Sequence, residues 1–282
     1  MFLSMMAGVT LGVATKIYYD TNFFKLNRVE FQSNKIPDGT EFTILQISDL
    51  HNKVFRSNNE DLIRTVNKIN ANIVVITGDL IDRRTKNLKD VLYFIKNITT
   101  VHKKVFYVSG NHEWANPLCE KLLDGLEGRN VMILDNQNTK LVDGRIVINL
   151  AGVADVTMKQ DNLKKALQGL NKEHFTLLLS HNPCVIKKTG ASSVDLILSG
   201  HTHGGQVRIP LIGALIVPDQ SLFPKYDKGA FNLGANRYLY IDSGLGTSRL
   251  PIRFLNQSQL SLIKITNNKK EGESNENIYF KI

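Results

Sequence analysis

FTILQISDLH, residues Phe42 to His51, is an apolar run that ends in an acid and a histidine two positions apart. Ile44, Leu45 and Ile47 suit a buried strand, and Asp49 and His51 follow directly, so their side chains belong to a strand tip. The construction recurs along the chain. IVVIT (73–77) runs into Gly78-Asp79, and VFYVS (105–109) into Gly110-Asn111-His112-Glu113. FTLLLS (175–180) runs into His181-Asn182-Pro183, and VDLILS (194–199) into Gly200-His201-Thr202-His203.

Between the first three runs the spacing turns helical, with Leu62, Ile63, Val66 and Ile69 on one face and Leu88, Val91, Leu92 and Ile95 on another. Strand–helix alternation with continuous apolar strands predicts an α/β fold with parallel pairing in at least one sheet. Ligands bind at the carboxyl ends of such strands, so the five polar tips are expected to meet in one crevice. The later runs 131–134, 140–142, 145–150, 206–209 and 237–241 are short and separated by Gly, Asp and Asn, which predicts hairpins and antiparallel additions.

Met1 to Thr15 carry no charged side chain, fewer than the roughly 20 apolar residues of a usual span, and no basic n-region or cleavage site precedes Lys16. The stretch reads as a short signal-anchor, with a terminal helix lying on the domain as the alternative. The polar segment 32–41 reads as a linker or turn. The expected division is an apolar N-terminal segment over 1–31 that anchors to a membrane, one domain over 32–266, and a polar C-terminal tail over 267–282. A monomer is expected, cytoplasmic apart from its membrane association.

The tips dictate the chemistry. Asp, Asn and His are ligands for hard-to-borderline divalent ions, and no thiolate stands among them. Asp49 and His51, two apart on an extended tip, point the same way, and His201 and His203 share that spacing. Gly78, Gly110, Gly200 and Gly204 allow tight turns beside them. Asp49, His51, Asp79, Asn111, His181, His201 and His203 are too many donors for one ion and suit two, with one carboxylate bridging.

The ordered set D-L-H, G-D, G-N-H-E, H-N-P and G-H-T-H resembles the calcineurin-like metallophosphoesterase superfamily. Gly204-Gly205-Gln206, the Y-D-K-G at 226–229 and the G-L-G-T-S-R-L-P-I-R-F at 244–254 resemble its bacterial YkuE/YaeI-type phosphodiesterase branch, extending the likeness over about residues 40–265. The resemblance implies a four-layer αββα sandwich, two mixed β-sheets flanked by helices. It assigns Asp49, His51, Asp79 and His203 to one ion, and Asp79, Asn111, His181 and His201 to the other. His112 is not a ligand but the general acid or a charge stabiliser, with Asp79 and Asn111 beside it in the catalytic set. Two ions roughly 3.5–4 Å apart would acidify a bridging water, and the hydroxide would attack phosphorus in line. Proton donation by His112 is typically worth about 100- to 10,000-fold in rate. Glu113 is expected to orient His112 or a ligating histidine, or else to be a plain helix-start carboxylate.

The resulting expectation is a dinuclear metal-dependent phosphoesterase, using manganese, iron, zinc or nickel, with a phosphodiester or pyrophosphate favoured. A nuclease, or a scaffold without turnover, is the alternative. The formal net charge of +9, from 35 Lys+Arg against 26 Asp+Glu, suits a small anionic, phosphate-containing substrate, a lipid-linked one included, or a membrane surface. The basic residues are scattered and lack the aromatic interleaving of single-strand platforms, which argues against nucleic acid. Two cysteines, Cys119 and Cys184, exclude a disulfide framework and read as buried thiols. His102 and His174 read as solvated, and Trp114 as a cleft wall or a packing residue. Arg56, Arg83, Arg84 and Arg249 read as surface groups able to hold a further phosphate. Asn256 to Gln259 stand where prolines are usual in the branch, at an expected surface edge.

Overall fold

The computed structural model describes residues 2–188, 190–220, 222–248 and 250–267, with side chains from Met6 onward. Arg249 and, after Asn267, the expected polar tail lie outside the described residues. In chain order the first strands are β1 (Phe24–Gln32), β2 (Glu41–Ile47), β3 (Ile73–Thr77), β4 (Val105–Val108), β5 (Val131–Ile133), β6 (Gln137–Asp143) and β7 (Ile146–Val153). They are followed by β8 (Phe175–Ser180), β9 (Leu196–Ser199), β10 (Arg208–Ile209), β11 (Gly213–Ala214), β12 (Gly229–Gly234), β13 (Arg237–Ile241) and β14 (Ser258–Thr266).

One six-stranded sheet has the order β1-β14-β2-β3-β4-β5, the other β12-β13-β9-β8-β7-β6, and β10-β11 form a small ribbon. Both large sheets are mixed. β2, β3, β4 and β5 run parallel, as do β7, β8, β9 and β13, while β14–β2, β6–β7 and β12–β13 are antiparallel. Parallel neighbours need crossovers, and the predicted helical faces supply them as α2 (Glu60–Lys68) and α3 (Lys89–Val101), joined by α5 (Cys119–Glu127). The short helix α4 (Asn111–Trp114) starts at the β4 tip.

The layers follow from what each face buries. Between the sheets lie Phe42, Ile44, Val75, Phe106, Leu150, Leu177, Leu198, Tyr240 and Ile263, among others. Outside the first sheet, Leu45, Ile47, Val74 and Ile76 pack on Leu62, Val66, Phe94, Ile95 and Leu126 of the helices. Outside the second, Val153, Leu178 and Ile197 pack on Leu163 and Ala166 of α6 (Leu163–Ala166) and on Val185. Each such side chain removed from water contributes about 1.5–3 kcal/mol. The four-layer αββα sandwich is thus realised, its second helical layer being one short helix and 3-10 turns.

The structure refines the sequence reading in three details. Residues 24–31, read with the apolar lead, form edge strand β1, paired in parallel with β14 along its whole length. The segment 32–41 is a tied turn, with Ser33 N–H donating to Thr266 O and Ile36 buried. The apolar lead is α1 (Phe2–Asn22), whose Met6, Val9, Leu11 and Val13 stand exposed. No helix among the described residues is long and apolar enough to cross a membrane, so the expected signal-anchor gains no support as a span. α1 docks instead through its end, where Asp20 accepts the Asn256 N–H and Thr21 Oγ1 accepts the Arg253 N–H.

Candidate metal centre

The carboxyl ends of β2, β3, β4, β8 and β9 lie together, and backbone hydrogen bonds lock their tips. Asp49 N–H donates to Gly78 O at 3.1 Å, His51 N–H to Asp79 O at 2.9 Å, and Gly200 N–H to His181 O at 3.0 Å. Gln46 Nε2 donates to Thr77 Oγ1 on the neighbouring strand and, across the sheets, to Ser199 O, each at 2.9 Å. The tips are not extended, as the Asp49/His51 spacing had suggested. Asp49, His51, Asp79, His201 and His203 all have φ between +49° and +71°. Left-handed backbone is strained for such residues and clusters at functional sites. Gly78 also turns left-handed, and a Cβ there would lie 2.7 Å from Gly110 N.

All seven predicted donors converge, and each is under a tenth exposed. His51 Nε2 is 3.1 Å from His203 Nε2, 3.4 Å from Asp79 Oδ2 and 3.9 Å from Asp49 Oδ1, while His203 Nε2 is 3.5 Å from Asp49 Oδ1. On the other side, His181 Nε2 is 3.2 Å from Asp79 Oδ2, and His201 Nδ1 is 3.0 Å from Asn111 Oδ1 and 3.2 Å from His181 Nε2. Two donors bound at about 2.1 Å and at right angles stand about 3.0 Å apart, so these gaps match a coordination sphere. Asp49–His51–His203, Asp49–Asp79–His181 and His51–Asp79–His112 each form a group able to hold an ion. The Nδ1 atoms of His51 and His203 are buried without a hydrogen-bond partner. The donor set and its spacing fit the two divalent ions that the motifs imply.

Burial alone would raise the Asp79 carboxyl, but the His181 charge and hydrogen bond hold it well below the usual carboxylate range. Burial would likewise raise Asp49, and His203 and His51 outweigh it, leaving it lowered. Burial opposes a charge on His181, yet Asp79 raises it well above the usual histidine value. Asp49 also accepts the His201 N–H with both oxygens at 3.1 Å, and Asp79 Oδ1 accepts the His112 N–H at 3.0 Å. Each acid therefore spans two tips.

His112 lies at the rim, its ring edge-on to His51 with centroids 4.6 Å apart. Its Nδ1 is 3.1 Å from Asp82 Oδ2, and its Nε2 is 3.3 Å from Arg83 Nη2. Burial pushes this imidazole down to about 4. Glu113 is the helix-start carboxylate of α4, bound to backbone N–H groups and not to His112 or a histidine of the donor cluster. It accepts the N–H groups of Asp79 and Gly110 at 2.8 Å and of Ile81 at 3.1 Å, stapling two strand tips. Burial, and then the Asp79 charge, push its carboxyl up to about 7.

The sequence reading passed over Asp82 and Asp219. Asp82 follows Asp79 by three residues, a position its tip could have flagged; Asp219 sits in the loop after β11, where no periodicity points to it. Its Oδ2 lies 2.8 Å from His201 Nε2. That hydrogen bond from His201 holds Asp219 below the usual carboxylate range, against the effect of burial. Other expectations hold in part. His102 is buried, with Nε2 3.0 Å from Val66 O, and His174 is half-buried. Cys119 and Cys184 are free and half-buried. The Trp114 indole donates to Ser109 Oγ at 2.7 Å, a structural tie. Arg56 and Arg84 are exposed, as expected, Arg56 over the Phe23 ring and Arg84 paired with Asp82. Asn256, Ser258 and Gln259 are buried, not at a surface edge, and Asn256 Nδ2 donates to His203 O at 2.6 Å.

Residues 42–205 match the calcineurin-like phosphoesterase family, and the chain belongs to it. It is a hydrolase of metallophosphoesterase class, as the motifs implied. It is 30% identical over 260 residues to the uncharacterized metallophosphoesterase YkuE of Bacillus subtilis, covering 89% of each chain. It is 34% identical over 233 residues to an uncharacterized metallophosphoesterase of Helicobacter pylori, covering 80% of this chain but only 60% of that relative's length. A 5'-nucleotidase precursor from Thermus thermophilus superposes with a TM-score of 0.45 at 15% identity, over 72% of this chain and 48% of that one.

Proposed function

We propose that this chain hydrolyses a phosphodiester or pyrophosphate, with one ion held by Asp49, His51, Asp79 and His203 and a second by Asp79, Asn111, His181 and His201. One observation carries this reading: Asp79 Oδ2 lies 3.4 Å from His51 Nε2 and 3.2 Å from His181 Nε2, between histidines brought by different sheets. What two divalent ions supply when bound is Lewis acidity at the phosphoryl oxygens and an acidified water for in-line attack. Manganese, iron, zinc and nickel all suit Asp, Asn and His donors.

The chain's own groups do the rest. The Asn111 amide, at the start of α4, orients an equatorial phosphoryl oxygen. His112 gives a proton to the leaving oxygen; Asp82 at its Nδ1 and the negative charge of an arriving phosphate both favour the imidazolium against burial. Arg83, beside His112 Nε2, offers a fork to a further phosphate, which a pyrophosphate uses in full.

A second observation favours a lipid-linked substrate met at a membrane surface. Leu211, Ile212, Ile216, Leu222 and Phe223 are exposed on the loop that carries Asp219, and Leu255 is exposed beside Leu211 and Ile212. Ile209 to Gly213 and Leu255 line one hollow, and Leu255 precedes the Asn256 on which α1 docks. Apolar side chains in such a patch bury in the interfacial zone of a bilayer, and a net charge of +9 favours anionic headgroups.

The test is a panel of phosphomonoesters, phosphodiesters, pyrophosphates and DNA against protein reloaded with each metal. Diester or pyrophosphate turnover is expected, falling about 100- to 10,000-fold in His112→Ala with the ions retained. Hydrolysis of no substrate with any metal would overturn the reading, and salt-sensitive DNA cleavage would favour a nuclease.

A further inference from the structure

We infer that Asp219 is a positioning residue for the second ion: it holds His201 in the tautomer whose Nδ1 lone pair faces that ion. The inference rests on the phosphoesterase reading and adds to it a residue outside the five strand-tip motifs. His201 has two ring nitrogens with opposite surroundings. Nδ1 points into the donor cluster, 3.0 Å from Asn111 Oδ1 and 3.2 Å from His181 Nε2. Nε2 points away from it, 2.8 Å from Asp219 Oδ2. A carboxylate only accepts, so Nε2 carries the proton and Nδ1 is left with its lone pair. A carboxylate behind a ligating histidine fixes the ring's orientation and raises its basicity.

Asp219 is itself held in place. Thr157 Oγ1 and Asn182 Nδ2 each donate to the same Oδ2 at 2.9 Å, and Asp219 has φ +58°, a strained conformation for a non-glycine residue. Asn182 in turn donates to Thr157 Oγ1 at 2.6 Å, and its Oδ1 accepts the Cys184 N–H at 2.8 Å. The asparagine of the H-N-P tip thereby gains a role: one residue after His181, it anchors the carboxylate that faces His201. Three donors on one oxygen fix the direction from which the His201 ring is gripped.

The experiment is a calorimetric titration of the metal-free full chain with manganese chloride, supported by nitrogen-15 spectra of the histidine rings. Asp219→Ala should weaken the second binding step about 10- to 100-fold while leaving the first within about twofold. It should also remove the Nε2–H signature of His201, and Asp219→Glu should restore part of both. Thr157→Val separates positioning from loop structure, because it deletes a loop tether but leaves the His201–Asp219 contact. Its second step should weaken far less than that of Asp219→Ala. An unchanged second step in Asp219→Ala, or an equal loss in Thr157→Val, would overturn the role of Asp219 alone. A wild-type chain that takes up no ion would overturn the phosphoesterase reading together with it.

Discussion

Glu113 Oε2 accepts the backbone N–H of Asp79 at 2.8 Å, joining the β3 tip to the one that carries Asn111 and His112. The same carboxylate takes the Gly110 and Ile81 N–H groups, so three buried donors depend on it. Glu113→Gln turns one acceptor into a donor and leaves at least one N–H unsatisfied, a cost of about 1–3 kcal/mol. Urea unfolding of the metal-free chain should show that loss. An unchanged midpoint would mean the staple adds nothing to stability.

Gly200 separates the β9 strand from His201 in a space with no room for a side chain. A Cβ there would collide with Ser48 Oγ and Asp49 Oδ2. Gly200→Ala must displace Asp49, and the affinity of the first ion should fall on the order of 10- to 100-fold. Metal content after dialysis reads this directly, and full retention of both ions would refute it.

Stability of the metal-free chain should depend on pH through His112. Its imidazole is pushed down to about 4 from an ordinary 6.5, so the folded state stays neutral where the unfolded state takes up a proton. The contribution is complete above pH 6.5 and is lost as pH falls toward 4. Relative to His112→Ala, the wild-type chain should lose about 2 kcal/mol between pH 7 and pH 5. Parallel pH profiles for the two proteins would contradict this.

The apolar loop gives a prediction independent of the metals. Leu211→Ser with Phe223→Ser removes two of its most exposed apolar side chains. Co-sedimentation with anionic phospholipid vesicles should fall about tenfold or more, each buried CH2 being worth about 0.8 kcal/mol. Turnover of a small water-soluble diester should be unaffected. Equal vesicle binding by variant and parent would end the membrane-surface reading.

Much of the crevice was legible because each tip follows its strand without a break, so Asp49, Asp79, Asn111, His181 and His201 could be placed together before any coordinates. What escaped lacked that pattern. β1 alternates exposed and half-buried residues at a sheet edge, and its Lys25, Arg28 and Glu30 mask the strand period. β14 buries Gln259 and Ser261, which hydrogen-bond Asp242; polar side chains on an inward face break the apolar alternation. Asp219 lies 18 positions from His201. Chain folding alone brings them together, and no spacing rule reaches that far.

The central claim is that phosphoester hydrolysis needs two ions bridged by Asp79. The most direct measurement titrates metal-free protein with manganese and follows bound ions per chain against hydrolysis of a phosphodiester. Turnover should appear only as the second equivalent binds, and Asp79→Asn should abolish it at both stoichiometries. Full turnover with one equivalent, or in the presence of excess chelator, would contradict the account.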